Sequence, residues 1–162
     1  MKDERHIDVA PISISKHVVC QIMCTVGGNA PETGGILLGP IDSSEITDFY
    51  FDATAQCTSA TYSPDHLTLR RKMREQWIPS GIDFKGFVHS HPGGFDRLSD
   101  GDLIYIRRLL DKNPDIKAFA APIVIPREFR LRPIVVLREE PDVQRIATLR
   151  IFSSIPKHAA IF

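Results

Sequence analysis

The stretch GFVHSHPGGFDRLSDGDL, residues 86–103, concentrates side chains that bind metal ions or move protons. It holds two histidines, three aspartates and two serines behind an apolar lead-in. Residues 82–91, IDFKGFVHSH, have the composition of a β-strand, which Pro92-Gly93-Gly94 ends. Ser99 is the expected N-cap of a helix over residues 100 to about 110. A strand, a loop and a helix are therefore predicted to meet around these polar groups.

The two histidines of this stretch are predicted to share one face of the strand. Residues i and i+2 on a strand point the same way, so His89 and His91 can bind one metal ion together. Ser90 then faces the opposite side. Zinc accepts imidazole nitrogens at about 2.0–2.1 Å. A single histidine on an apolar strand is more often a hydrogen-bonded core residue, but two in register before Pro-Gly-Gly favour a metal site.

A carboxylate ligand is expected from the aspartates that follow. Asp96, Asp100 and Asp102 all lie within reach of the loop, and their spacing alone does not choose between them. Ser99 and Asp102 also fit the Ser-x-x-Asp pattern of a capping box, which accounts for both residues without a metal. The two interpretations are compatible, because the first turn of a helix is a rigid platform from which Asp102 can project toward the histidines.

Chemistry at such a metal also needs a base. Two histidines and one carboxylate leave a fourth position for water, and zinc lowers the pKa of that water toward about 7. Another group must then transfer the proton. Glu32 is a candidate because it precedes GGILLGPI, residues 34–41, which predicts a buried strand. An exposed glutamate in a turn is the alternative.

The rest of the chain mixes helical and strand patterns. Apolar residues recur at helical spacing from Ile14 to Val26, and Gly27-Gly28 ends this predicted helix. Residues 46–54 predict a second strand, and a longer loop is expected through Cys57 and Tyr62. A helix is expected over residues 65–77. Its candidate inward residues are Leu67, Met73 and Trp77.

The C-terminal part is predicted to be mainly β. Residues 117–125 and 132–138 predict two strands, whereas residues 143–152 fit either a helix or a strand. The segment after Pro156 is expected to fray. Helices and strands in this mixed order favour an α+β fold or a three-layer sandwich. The length of 162 residues fits a single domain spanning residues 1–162.

Composition excludes several classes of protein. The formal net charge is zero, which argues against nucleic acid or an acidic membrane as a partner. No apolar run approaches the roughly 20 residues of a membrane span. The N-terminus, MKDERHID, lacks the apolar region of a signal peptide, so a cytoplasmic location is expected.

The cysteines predict neither a disulfide framework nor a thiolate metal site. Their number is three, and no two form a Cys-x-x-Cys pair. Cys20 and Cys24 are four residues apart within the apolar helical pattern, so both are interpreted as small core residues.

Taken together, the motif residues resemble the JAB/MPN family of zinc metallopeptidases and its JAMM motif. That motif is a glutamate at the start of an early strand, then His-x-His-Pro, six residues, Ser, two residues and Asp. Here it reads Glu32, His89-Ser90-His91-Pro92, GGFDRL and Ser99-Asp100-Gly101-Asp102, with no gap. The order of elements over about residues 10–140 is also similar. The resemblance implies a cytidine-deaminase-like three-layer α/β/α fold, with one mixed sheet between helices.

The resemblance also implies a role for each matching residue. His89, His91 and Asp102 match the ligands of one catalytic Zn²⁺, and Glu32 matches the base that activates water. Ser99 matches the residue that helps to stabilise the tetrahedral oxyanion. The choice of Asp102 among the three aspartates rests on the family.

Substrates and partners are implied only by class. Family members commonly cleave the bond after the C-terminal glycine of ubiquitin or a ubiquitin-like protein, and some bacterial relatives process sulfur-carrier proteins. The compact chain resembles stand-alone bacterial members, some encoded beside activating and conjugating enzymes in operons, including antiviral ones. Two alternatives stay open: a scaffold that binds a ubiquitin-like partner without cutting it, and a non-haem iron oxygenase with a two-histidine, one-carboxylate site.

Overall fold

An eight-stranded mixed sheet forms the centre of the fold. The computed structural model describes residues 9–27, 32–57 and 62–153 of the chain. Six of its strands follow one another in the order β11-β10-β7-β6-β2-β3, and β8 pairs with both β6 and β9. The strands are β1 (Ile12–Ser15), β2 (Gly34–Pro40), β3 (Asp48–Phe51), β4 (Gln56–Cys57), β5 (Tyr62–Ser63), β6 (Ile82–Ser90), β7 (Ala118–Ala120), β8 (Ile123–Ile125), β9 (Arg130–Arg132), β10 (Ile134–Leu137), β11 (Gln144–Ile146) and β12 (Leu149–Phe152).

Three α-helices and three shorter helical turns accompany these strands in the described ranges. The α-helices are α1 (Lys16–Thr25), α2 (His66–Lys72) and α3 (Asp100–Lys112). A π-helical turn, Met73–Trp77, continues α2, and 3₁₀ turns cover Ile78–Ser80 and Pro126–Glu128. Gly81 ends the 3₁₀ turn Ile78–Ser80 in the left-handed conformation, at φ 76°, which glycine adopts without steric cost.

The two faces of the sheet bury separate apolar clusters. Leu37 and Val88 pack with Val18 and Ile22 of α1, on one face. Their strand neighbours, such as Phe87, pack with residues of α3 on the other face. Successive strand residues point to opposite faces, so continuous apolar runs in β2 and β6 serve both clusters. This arrangement confirms the expected α+β fold with a mixed sheet between helices.

The first helical pattern is shorter than predicted. Ile14 lies in β1, which pairs in parallel with β12, and α1 begins only at Lys16. Ser15 is the N-cap, and its buried hydroxyl accepts a hydrogen bond from the Val18 amide at 3.3 Å. Residues 143–152, for which the sequence allowed either a helix or a strand, form the two strands β11 and β12.

The interpretation of the cysteines as core residues is wrong. Cys20 and Cys24 are both exposed, because α1 turns Val18 and Ile22 toward the sheet. Residues two positions apart on a helix lie about 200° apart around its axis, so the cysteine pair faces away from the core.

Two further expectations for the middle of the chain need correction. The loop through Tyr62 contains a short hairpin of β4 and β5. Leu67 is 81% exposed and does not face inward. Met73 and Trp77 pack, as expected, against the apolar cluster between the sheet and α3. The charged N-terminus, residues 1–8, and the segment after Pro156 lie outside the described residues.

No helix within the described residues combines the length and apolar character needed to cross a bilayer.

Candidate metal centre

The two histidines of the motif converge at the end of β6. His89 is 1% exposed and His91 is 6% exposed, and their Nε2 atoms lie 2.8 Å apart. The β6 strand pairs with β2 on one side and with β8 on the other, which fixes its direction at this point. The predicted display of both imidazoles on one face is therefore what the structure contains.

Each ring is oriented by a different neighbour. Nδ1 of His91 donates to the carbonyl of Phe95 at 2.7 Å, which leaves the lone pair on Nε2. The ring of His89 stacks nearly parallel to Tyr62, with centroids 6.3 Å apart and planes at 15°. Burial lowers the pKa of His91 and the neighbouring His89 lowers it further, so His91 is neutral at neutral pH.

Glu32 joins the histidines from the start of β2. One ligand atom from each of Glu32, His89 and His91 lies within 4.8 Å of the other two. The glutamate is buried, which raises its carboxyl pKa; nearby His89 opposes this rise and Asp102 adds to it. Glu32 is therefore not the exposed turn residue of the alternative interpretation.

Ser90 fixes the chain that carries Glu32. It is fully buried, and it faces away from the metal-ligand side, as the strand alternation predicts. The Thr33 amide donates to Ser90 Oγ at 3.1 Å, and the Ser90 amide donates to the Thr33 carbonyl at 2.9 Å. The residue after Glu32 is thus held to the residue between the two histidines.

Asp102 faces His89 from the first turn of α3. Its Oδ2 lies 3.5 Å from His89 Nε2 and accepts hydrogen bonds of 2.8 Å from both the amide and the hydroxyl of Ser99. Burial would raise the pKa of Asp102, but His89 and Ser99 outweigh it and lower the pKa to about 2. Asp96 instead forms an ion pair with Arg132, at 3.5 Å.

Ser99 performs the capping role that the sequence predicts. Its hydroxyl also accepts from the Asp102 amide at 3.2 Å, which completes the capping box at the start of α3. The capping box and the approach of Asp102 to His89 therefore coexist. The hydroxyl is already donated to Asp102, so any second donor role would require this hydrogen bond to be exchanged.

The donor set fits a divalent metal ion. Two imidazole nitrogens and two carboxylates converge, and among the described residues neither Lys nor Arg contributes to the lining of the cleft above them. A cation held by these residues would balance the negative charge of the carboxylates. Nitrogen and carboxylate oxygen are ligands that zinc accepts in proteins, and they do not by themselves exclude other divalent metals.

An open cleft of about 460 Å³ gives access to these residues. Gly93 and Gly101 line it without adding side chains, whereas Phe95 is 53% exposed and stacks on His91 at 5.9 Å. The other lining residues are Glu32, Tyr62, Ser63, Pro64, His66, Phe87, His91, Ser99, Asp102 and Tyr105. No pattern in the sequence singles out Tyr62, Tyr105 or the Phe95 carbonyl as part of the site, because separate elements bring them there.

Comparisons with known proteins bear on the fold. No protein-family model matches the sequence, and no curated protein matches it. A Desulfitobacterium hafniense protein with a known solution structure is 18% identical, with a TM-score of 0.64, and the match covers 91% of this chain and 97% of that one. A JAB1/MPN domain protein from Archaeoglobus fulgidus is 16% identical, with a TM-score of 0.50, over 89% of this chain and 100% of that one.

Sequence identity at this level supports a shared fold and no more. The chain therefore folds as an MPN-like α+β domain, in which Glu32, His89 and His91 come close enough together to hold a metal ion.

Proposed function

We propose that the protein is a zinc-dependent peptidase or isopeptidase that hydrolyses the bond after the C-terminal glycine of ubiquitin or a ubiquitin-like protein. The observation that carries this proposal is the convergence of Glu32, His89, His91 and Asp102 beneath an open cleft. The MPN-like fold and the JAMM spacing of these residues support it.

The metal would be held by His89, His91 and Asp102. Both imidazoles are buried and His91 is held neutral, which is the form that binds zinc. Asp102 is ionised at neutral pH and brings negative charge to the same point. When bound there, zinc supplies a Lewis acid that polarises a carbonyl and acidifies water.

Glu32 is the proposed proton carrier. Burial raises the pKa of its carboxyl above the ordinary value, which brings it closer to the range in which a group can both take and return a proton. In peptide hydrolysis, Glu32 takes a proton from the attacking water and delivers it to the leaving amine. The ester and thioester intermediates of nucleophilic catalysis are not required.

Ser99 is proposed to help stabilise the oxyanion. Its amide alone can keep Asp102 hydrogen-bonded, at 2.8 Å, while its hydroxyl turns to the substrate oxygen. Preorganised donors of this kind stabilise charge that develops in the transition state.

The cleft also bears on the class of substrate. Gly93 and Gly101 leave space along its lining, and aromatic side chains narrow it elsewhere. A C-terminal tail that ends in Gly-Gly is extended and has no side chains at its last positions, so it can bring its final carbonyl to a buried centre. Conjugates, precursors and sulfur carriers with the ubiquitin-like fold all present such a tail.

The test is cleavage of linear fusions in which ubiquitin, or a ubiquitin-like sulfur carrier, precedes a reporter peptide. We expect release of the reporter by the wild-type protein, its loss on addition of a zinc chelator, and its recovery when zinc is restored. Glu32→Gln should abolish turnover while zinc content and fusion binding persist. Binding without cleavage by the zinc-loaded wild-type protein would identify a scaffold and refute the peptidase proposal.

Two first-turn aspartates of α3 provide a matched pair of variants. Asp102→Asn removes the carboxylate that faces His89, whereas Asp100→Asn changes an exposed carboxylate two residues earlier. We expect the first change to lower both zinc content and cleavage and the second to leave both close to wild type. Equal effects of the two substitutions would contradict the proposed ligand set.

A further inference from the structure

A second buried carboxylate lies outside the metal centre and has no part in the proposed chemistry. Asp52 directly follows β3 and is 2% exposed. Its amide donates to the Gly34 carbonyl at 3.1 Å, which places Asp52 beside the first residue of β2. A charged side chain is rarely buried to this degree unless it is paired or hydrogen-bonded, so its contacts indicate what it holds in place.

The carboxylate of Asp52 holds both ends of one short segment. Its Oδ2 accepts a hydrogen bond from the Tyr62 hydroxyl at 3.3 Å and another from the Asp65 amide at 3.0 Å. The Thr54 hydroxyl lies 3.2 Å from Oδ1. Asp65 is in turn the N-cap of α2, where it accepts from the Thr68 amide at 3.1 Å. A single buried side chain thus links the end of β3 to β5 and to the start of α2.

The segment that carries these two anchors, up to His66, lines the cleft. Tyr62, Ser63, Pro64 and His66 all contribute to its lining. The Tyr62 ring stacks on His89 and lies so close to β2 that a Cβ at Gly34 would come within 2.8 Å of it. Residues 62–66, defined here as the cleft wall, therefore contact the β2 backbone and a proposed zinc ligand.

We propose that Asp52 is a positioning residue that holds the cleft wall, residues 62–66, in place to contact the substrate tail, and that Tyr62 is the wall residue that sets the fit of the tail. This inference rests on the proposed function for its substrate. The anchoring itself is a property of the protein alone, because the hydrogen bonds of Asp52 are all within the chain.

Two substitutions at Asp52 separate anchoring from charge. Asp52→Ala removes the acceptor for Tyr62 and for the Asp65 amide. Asp52→Asn retains an oxygen that can accept both hydrogen bonds, and its amide group can donate to the Thr54 hydroxyl. Tyr62→Phe removes one anchor and keeps the ring, and it serves if Asp52→Ala does not fold. Asp48→Asn changes an exposed carboxylate on the same strand and is the matched control.

The first measurement needs no substrate. Hydrogen exchange of the backbone amides should become faster across residues 63 and 65–66 in Asp52→Ala, and should stay close to wild type in Asp52→Asn and Asp48→Asn. Zinc content should be unchanged in all of these variants. Unchanged exchange in both Asp52→Ala and Tyr62→Phe would overturn the anchoring role.

The second measurement is hydrolysis of a ubiquitin–reporter fusion. We expect KM to rise by about tenfold in Asp52→Ala with little change in kcat, which corresponds to the net contribution of about one hydrogen bond. Asp52→Asn should restore the wild-type KM. Dissociation constants for the same fusion, measured in the Glu32→Gln background, should follow KM.

The outcomes separate this inference from the proposed function. No cleavage of any fusion by the wild-type protein would refute the proposed function, while the exchange data would still decide whether Asp52 anchors the wall. Wild-type cleavage combined with an unchanged KM in Asp52→Ala would refute the substrate role of the wall alone. A fall in kcat and zinc content with KM unchanged would assign Asp52 to the metal centre instead.

Discussion

Ser90→Ala tests how the proposed base is held beside the metal ligands. Ser90 is fully buried, and its hydroxyl accepts from the Thr33 amide at 3.1 Å and lies 3.4 Å from the Thr33 carbonyl. The carbonyl retains its 2.9 Å hydrogen bond from the Ser90 amide in the variant, so only the Thr33 amide loses its partner. The expected cost in unfolding free energy is therefore about 1–3 kcal/mol, the range for one buried donor left unsatisfied.

This cost predicts measurable effects on stability and catalysis. For a domain of this size, about 2 kcal/mol lowers the melting temperature by roughly 4–8 °C. Because Thr33 follows Glu32 directly, loosening it displaces the base, and we expect kcat to fall by between about tenfold and a hundredfold. Zinc content should stay at the wild-type level, since Ser90→Ala changes neither histidine.

The assays are thermal unfolding by circular dichroism, metal analysis and hydrolysis of the ubiquitin–reporter fusion. Ser90→Thr keeps the hydroxyl and is the matched variant, and it should retain more of the wild-type kcat even if the extra methyl group lowers stability. The reasoning would be refuted if Ser90→Ala lost the expected stability and yet hydrolysed the fusion with the wild-type kcat.

Three further predictions concern other parts of the chain. Arg138 donates to three carbonyls at the end of α3 and in the turn after it. Arg138→Ala should therefore lower the free energy of unfolding by about 1–3 kcal/mol, and Arg138→Lys should lower it by less. Equal melting temperatures for the wild type and Arg138→Ala would contradict this. Cys20 and Cys24 are exposed, so a thiol reagent should modify both in the native protein without loss of zinc, and protection of either would contradict the position of α1. Burial lowers the pKa of His91 below the ordinary imidazole value, so zinc should be retained at neutral pH and released on acidification, when the imidazole protonates. Full zinc content at about pH 4 would exclude histidine ligation.

The β6–loop–α3 region could be predicted in detail because its signals are local. The strand alternation that pairs His89 with His91, the Pro-Gly-Gly break and the Ser99 N-cap all depend on residues a few positions apart. Their structure follows from short-range geometry, whereas the choice of Asp102 among the three aspartates depends on the resemblance to the JAMM motif and not on spacing alone. The strand, the loop and the start of the helix therefore adopt in the folded chain the conformations that their own residues favour.

Features that depend on distant partners could not be predicted in the same way. The apolar pattern of α1 allows more than one buried face, and only packing on the sheet shows that Val18 and Ile22 face inward while Cys20 and Cys24 do not. Ile14 belongs to a strand because β12, from the far end of the described chain, pairs with it. The apolar spacing in the sequence does not reveal this partner, so it places the start of α1 too early in the chain.

The cleft wall had no sequence signal for the same reason. Asp52 stands in an ordinary strand-to-turn segment, and its role depends on Tyr62 and Asp65, which belong to two other elements. Glu32 differs, because the sequence names it as a candidate base, but its distance from the histidines does not follow from local residues. Its closeness to His89 and His91 follows from the antiparallel pairing of β2 with β6, which aligns Gly34 with His89.

The metal content of the purified protein tests the central claim most directly. We predict a single zinc ion per chain in the wild-type protein, and strongly reduced zinc in His89→Ala and in Asp102→Ala, with Asp100→Ala as the control that keeps it. Wild-type protein that is folded but binds no zinc, or full zinc occupancy in both ligand variants, would contradict the assignment of this centre and the peptidase function built on it.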